Sequence, residues 1–297
     1  EMSRGLGDVY KRQLYNKADY IAETLKSVLN QTYCDYEVIV VNDSSTDNSL
    51  EVASSFQDER IHIYTKENEG VSAARNYGIM HAKYDYIAFL DADDIWESDY
   101  LECQKKLIGT YPDAGIYSTA FYSLEKGKRK LRNVLINEHT HFLVHDYFKE
   151  SVMNGLSICW TSSLCLKKEV IKEIPMFRVG IKRGEDLDLW LRIALNYDVA
   201  YLNLPKVFYR TGLSDSLTSD YSKNGEFPYY EWFNFTSESS YYRKYVILVV
   251  YIHAKNAFIH HDYDTCLAEL WSVKTIAWRF KWAERLLLLV ISWIKSK

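Results

Sequence analysis

Apolar residues recur along the chain in two rhythms. Ile21, Leu25, Val28 and Leu29 fall at the spacing of one helix face, and residues 36–41 form a short apolar run of strand length. That run stops at Asn42-Asp43-Ser44-Ser45-Thr46-Asp47, where Thr46 or Asp47 can cap a second helix carrying Leu50, Val52, Ala53 and Phe56. Residues 61–64 predict a short strand, Asn68-Glu69-Gly70 a turn, and residues 72–83 a helix with Arg75 and Asn76 on it. The run Tyr86–Leu90 predicts a buried strand that ends abruptly at Asp91-Ala92-Asp93-Asp94. A helix over 100–108 and a strand near 115–118 follow. Such alternation predicts an α/β fold with a mostly parallel sheet and helices on both faces.

The second half is less regular. Residues 119–155 are polar and weakly periodic, and the basic run 126–132 suits either a solvated hairpin or an acceptor-binding flap. Residues 159–166 predict a buried strand and 168–173 a helix. Gly184-Glu185-Asp186 then leads into an amphipathic helix with Leu187, Trp190, Leu191, Ala194 and Leu195 on its apolar side. Residues 199–204 and 207–210 predict two short strands, and 241–261 and 263–294 predict helices, with a boundary between 215 and 225. Three units result: 1–13, an α/β domain over 14–215, and a helical extension over 216–297. Residues 1–13 are polar and Gly-containing with no period-two pattern, although a strand is expected just before Leu14. They read as a non-native segment standing where the first strand is missing.

Composition narrows the function. The net charge of −4 argues against broad nucleic-acid binding. The five cysteines are odd in number and scattered, which favours a reducing compartment over a disulfide framework or zinc site. The apolar run 286–294 is about half the length of a membrane span. His139, His141 and His145 lie on a polar stretch and read as solvated.

The candidate chemistry is carboxylate chemistry. Asp91, Asp93 and Asp94 repel one another unless a cation sits among them, and an all-oxygen set at a strand end suits Mg²⁺ or Mn²⁺ carrying a phosphate. The competing account is simple helix capping by Asp93 or Asp94. Asp43 also ends a strand, and ligands of parallel sheets bind outside the carboxyl ends of the strands, so the two sets can line one crevice. Glu185 and Asp186 read equally as helix caps or as site carboxylates.

The ordered set Tyr15-Asn16, Val40-Val-Asn-Asp43-Ser-Ser-Thr-Asp47, Gly70-Val-Ser-Ala-Ala-Arg75-Asn76-Tyr-Gly78, Phe89-Leu-Asp91-Ala-Asp93-Asp94 and Gly184-Glu185-Asp186 resembles family 2 glycosyltransferases of the GT-A fold. The likeness spans about residues 14–212. It implies a Rossmann-like domain that moves a sugar, with inversion, from a nucleotide-sugar donor (UDP-linked) to an acceptor hydroxyl. By the same likeness Tyr15 and Asp43 hold the base, with Asn16, Ser45, Asn76 and Ala92 around the donor. Arg75 lies near the diphosphate or closes the nucleotide pocket, and Asp91 and Asp93 face the ribose and the metal. Asp94 shares that Mn²⁺ or Mg²⁺, and Asp186, paired in sequence with Glu185, is the general base. Absence of a Gln/Arg-x-x-Arg-Trp motif points to single additions, in cell-envelope polysaccharide or lipid-linked glycan synthesis. A sugar-nucleotide pyrophosphorylase and an inactive binding protein are the alternatives. The expected location is cytoplasmic. Residues 271–297 mix Trp, Leu and basic residues, as in a helix lying on the inner membrane face or packing on the domain or a dimer partner.

Overall fold

The computed structural model describes residues 8–155, 157–181, 183–213, 229–232, 235–266 and 268–269. Its centre is a mixed sheet flanked by helices. In chain order the strands are β1 (Asp8–Leu14), β2 (Glu37–Asn42), β3 (Ile61–Thr65), β4 (Tyr86–Leu90), β5 (Ile95–Trp96), β6 (Ile116–Glu125), β7 (Lys128–Arg132), β8 (His141–Val144), β9 (Leu164–Lys167) and β10 (Val199–Arg210). The spatial order is β3-β2-β1-β4-β9-β6-β10-β5, with β7 on β6 and β8 on β10. Pairing is parallel from β3 through β4, and β9 then enters antiparallel to both β4 and β6.

The expectation that no strand precedes Leu14 is corrected. β1 runs between β2 and β4, with Val9 opposite Val38 on one side and Ala88 on the other. Backbone pairing explains this: without β1 the inner edges of β2 and β4 would bury unpaired N–H and C=O groups, each costing about 1–3 kcal/mol. Lys11, Arg12 and Gln13 hid the strand, because a side-chain pattern does not record main-chain demand. The two predicted strands after residue 198 are also one, β10, whose pairing with β6 shifts register on both sides of Pro205. Proline has no N–H to give to a ladder.

Side chains alternate across the sheet. Val38, Val40, Ala88 and Leu90 pack with Ile21, Leu25 and Val28 of α1 (Ala18–Leu29) and with Leu101 and Leu107 of α4 (Tyr100–Thr110). Ile39, Val41, Ile87 and Phe89 face the other way. They meet Ala74 and Ile79 of α3 (Val71–His81) and Leu189, Trp190 and Ile193 of α7 (Glu185–Ala194). Each such side chain, removed from water, stabilises the fold by about 1.5–3 kcal/mol. Between these helices lie α2 (Ser49–Ser54), α5 (Tyr147–Met153) and α6 (Lys168–Glu173).

The late helices α8 (Tyr229–Trp232) and α9 (Tyr242–Ile259) join the second core. Tyr242 meets Phe148 edge to face at 4.8 Å, and the Tyr147 and Tyr245 hydroxyls are 3.1 Å apart. The expected boundary at 215–225 and the amphipathic segment 271–297 lie outside the described residues. Among the described residues no helix is long and apolar enough to cross a membrane. All five cysteines are free.

Candidate active site

The candidate residues gather beyond the carboxyl ends of β1, β2 and β4. At the end of β2 the Asp43 carboxylate is fully buried and cradled. Its Oδ1 accepts from Lys66 Nζ at 3.1 Å and the Glu69 N–H at 3.2 Å, and its Oδ2 from the Gly70 N–H at 3.1 Å. Gly70 has φ +88°, a conformation that glycine adopts without steric cost, so the turn can aim its N–H at Asp43 before α3 begins. The loops after β1 and β2 are laced together by neutral groups. Asn16 Oδ1 accepts from the Thr46 N–H at 2.8 Å, Ser45 Oγ donates to the Leu14 carbonyl at 2.8 Å, and the Asn16 N–H reaches Ser45 Oγ at 3.3 Å. Asn16 and Ser45 therefore shape the rim. Tyr15 is exposed beside them.

At the end of β4, ligand oxygens of Asp91, Asp93 and Asp94 lie within 4.8 Å of one another. Ser162 binds this cluster twice: its Oγ accepts from the Asp91 N–H at 3.0 Å and donates to Asp94 Oδ2 at 2.5 Å. The other Asp94 oxygen accepts from the Arg210 N–H at 3.0 Å. Burial first, then the charges of Asp93 and Asp91, push the Asp94 carboxyl well above the ordinary carboxylate range. Both its oxygens being engaged by the chain, Asp94 anchors the loop, while Asp93 stands nearest solvent and takes Lys17 Nζ at 3.0 Å. The Ala92 carbonyl accepts from Thr24 Oγ1 of α1 at 3.0 Å. The Arg210 guanidinium closes the loop from outside, donating to the Asp93 carbonyl at 2.7 Å and pairing with Glu23.

The first turn of α7 faces the cluster through Thr161 and Ser162. Asp186 Oδ2 accepts from Thr161 Oγ1 at 2.9 Å, and Glu185 is buried against Arg75, 2.8 Å away. Arg75 thus lies deeper than a diphosphate contact: it is fully buried, stacks on Phe177 at 4.8 Å, and ties α3 to the start of α7. Asn76, half-buried, grips the Phe177 backbone through both amide atoms at 2.7 and 3.0 Å. A buried guanidinium needs a buried counter-charge, and Glu185 supplies it.

Thr161 and Ser162 went unread in the sequence. They form a 3₁₀ turn just before β9, and as neighbours they tie Asp186 to the Asp91–Asp94 cluster. The available signal was a Thr-Ser-Ser run inside an otherwise apolar strand pattern. The three histidines do not cluster: His145 pairs with Asp198 at 2.7 Å and His141 with the Tyr111 hydroxyl at 3.2 Å.

An oxygen-only set of carboxylates, one of them shared with solvent, fits a hard divalent ion. Sequence and fold both have known counterparts. Residues 14–174 match the family described as Glycosyl transferase family 2, and the chain belongs to that family. Among its relatives is the putative teichuronic acid biosynthesis glycosyltransferase TuaG of Bacillus subtilis (strain 168), 32% identical over 190 residues, covering 63% of this chain and 71% of TuaG. An uncharacterized glycosyltransferase of Rickettsia felis is 34% identical over 186 residues, but these cover 61% of this chain and only 29% of that protein. The fold matches the crystal structure of S. aureus TarS 1–349 in complex with UDP-GlcNAc, with a TM-score of 0.70 and 17% identity over 89% of this chain and 79% of that one.

Proposed function

We propose that this chain transfers a sugar from a UDP-linked donor to an acceptor hydroxyl, with inversion, in cell-envelope polysaccharide or lipid-linked glycan synthesis. The observation that carries the reading is the turn in which adjacent Thr161 and Ser162 join Asp186 to the carboxylate cluster. An inverting displacement needs a proton acceptor on one side of the anomeric carbon and charge relief for the leaving group on the other, at fixed separation. The acceptor oxygen forms its bond to that carbon as the carbon–oxygen bond to the diphosphate breaks, and Asp186 takes the acceptor proton. Asp93 and Asp91 would hold Mn²⁺ or Mg²⁺, which when bound neutralises charge developing on the diphosphate. Arg75, through Glu185, positions the helix that carries Asp186. Asp43, with its cradle of donors, and Tyr15 and Asn16 at the rim form the base side of the pocket.

The crystallised UDP-GlcNAc complex of TarS and the teichuronic acid role named for TuaG support the donor and pathway class. Residues 271–297 carry the proposed peripheral membrane contact, checked by liposome co-sedimentation with and without them. The test of the central reading is calorimetry of UDP binding with and without Mn²⁺, on this chain and on Asp93→Ala. Metal-dependent binding lost in the variant is expected; metal-independent binding of equal strength in both would remove the assignment.

A further inference from the structure

The cation already at the carboxylate cluster belongs to the chain itself. Lys17 Nζ lies 3.0 Å from Asp93 Oδ2, with the two side chains only 12% and 16% exposed. The backbone beneath it is fixed: the Lys17 N–H donates to Ser49 Oγ at 2.7 Å, and its carbonyl accepts from the Tyr20 and Ile21 N–H groups, both at 3.0 Å, opening α1. The ammonium also lies over the Tyr20 ring, 5.8 Å from its centroid, at the end of a four-carbon stem whose rotation would carry it off Asp93. The other nearby cation is differently employed, since the Arg210 guanidinium is committed to the Asp93 carbonyl and Glu23. Asp94 has both oxygens taken by Ser162 and the Arg210 N–H, and Asp93 is the most exposed of the three carboxylates.

We propose that Lys17 is the resident counter-ion of the Asp91–Asp93–Asp94 cluster, and that a divalent cation entering the site displaces its ammonium from Asp93. The inference rests on the metal-site reading above. An ammonium and a divalent ion on one carboxylate repel strongly at contact distance, so the two states are exclusive. Lys17 thereby compensates the crowded carboxylates of the unloaded protein and lowers their affinity for metal alone. A donor diphosphate gives the displaced ammonium a new partner, which couples metal loading to nucleotide loading.

The test is Mn²⁺ affinity of the full chain without nucleotide, read from the electron paramagnetic resonance signal of free Mn²⁺. Removing one opposing charge is expected to tighten Mn²⁺ binding about tenfold in Lys17→Met. Lys17→Gln, which keeps a polar group for Asp93, must shift in the same direction. Added UDP is expected to tighten Mn²⁺ binding more in the unaltered chain than in Lys17→Met. Equal or weaker Mn²⁺ binding by both variants, with the unaltered chain binding normally, overturns the role of Lys17 alone. No Mn²⁺ binding by any of the three overturns the metal site and this inference with it.

Discussion

The two sides of the crevice are built from different materials. Around Asp43, the residues Asn16, Ser45 and Thr46 join neighbouring loops through neutral hydrogen bonds, and Asp43 itself sits in a cradle made by residues 66–70. Around the Asp91–Asp94 cluster and the start of α7, buried groups are joined across long stretches of chain: Arg75 to Glu185, Asp94 to Ser162, and Asp94 to the Arg210 N–H. A neutral lacing tolerates the loss of one bond, because water can take its place at the rim. A buried charge without its partner has no such substitute. The cluster side therefore depends on the longer-range charge partnerships, of which Arg75–Glu185 is the buried ion pair.

The sharpest break in this contrast is functional. Asp186→Asn is expected to lower sugar transfer by about 10²–10⁴-fold while leaving UDP affinity unchanged by calorimetry, since the proton acceptor alone is lost. Next, Arg75→Ala leaves Glu185 buried without its guanidinium and should cost about 3–5 kcal/mol in urea unfolding. The paired change Arg75→Met with Glu185→Leu should recover most of that loss, because neither charge then remains. On the other side, Asp43→Ala takes the acceptor from the Glu69 and Gly70 N–H groups, while Lys66 keeps Glu69 and the Glu67 carbonyl. It should cost about 1–3 kcal/mol and abolish UDP binding without altering Mn²⁺ affinity.

The smallest effect is in pH. The folded state holds the Asp94 proton more tightly than the unfolded state does, so metal-free stability should fall as pH rises above the ordinary carboxylate value, toward the raised folded one. Asp94→Asn should flatten that slope in urea titrations carried out across acid to neutral pH. A slope unchanged in the variant would mean that another group carries it.

How legible each side was in the sequence follows from the same contrast. Asp43, Asp91 and Asp186 each end a strand or open a helix, and periodicity alone marks such positions. Arg75 and Asn76 were found but assigned to the donor; their partners Glu185 and Phe177 lie beyond 100 residues away, and no local pattern records such a pairing. Thr161 and Ser162 were passed over as strand, because a 3₁₀ turn of three residues has no period to detect. β1 was misread for the opposite reason: its place is set by the main chains of β2 and β4 on either side of it.

The antiparallel entry of β9 sets one property of the whole enzyme. The Thr161–Ser163 turn feeds directly into a strand bonded on both edges, to β4 and to β6. The gap between Asp186 and the carboxylate cluster is consequently tied to the sheet, as the spacing of teeth is to a gear. The β6–β7 hairpin, with every residue of β7 exposed, hangs from the same sheet but carries none of that spacing. Substitutions there leave that gauge as it is.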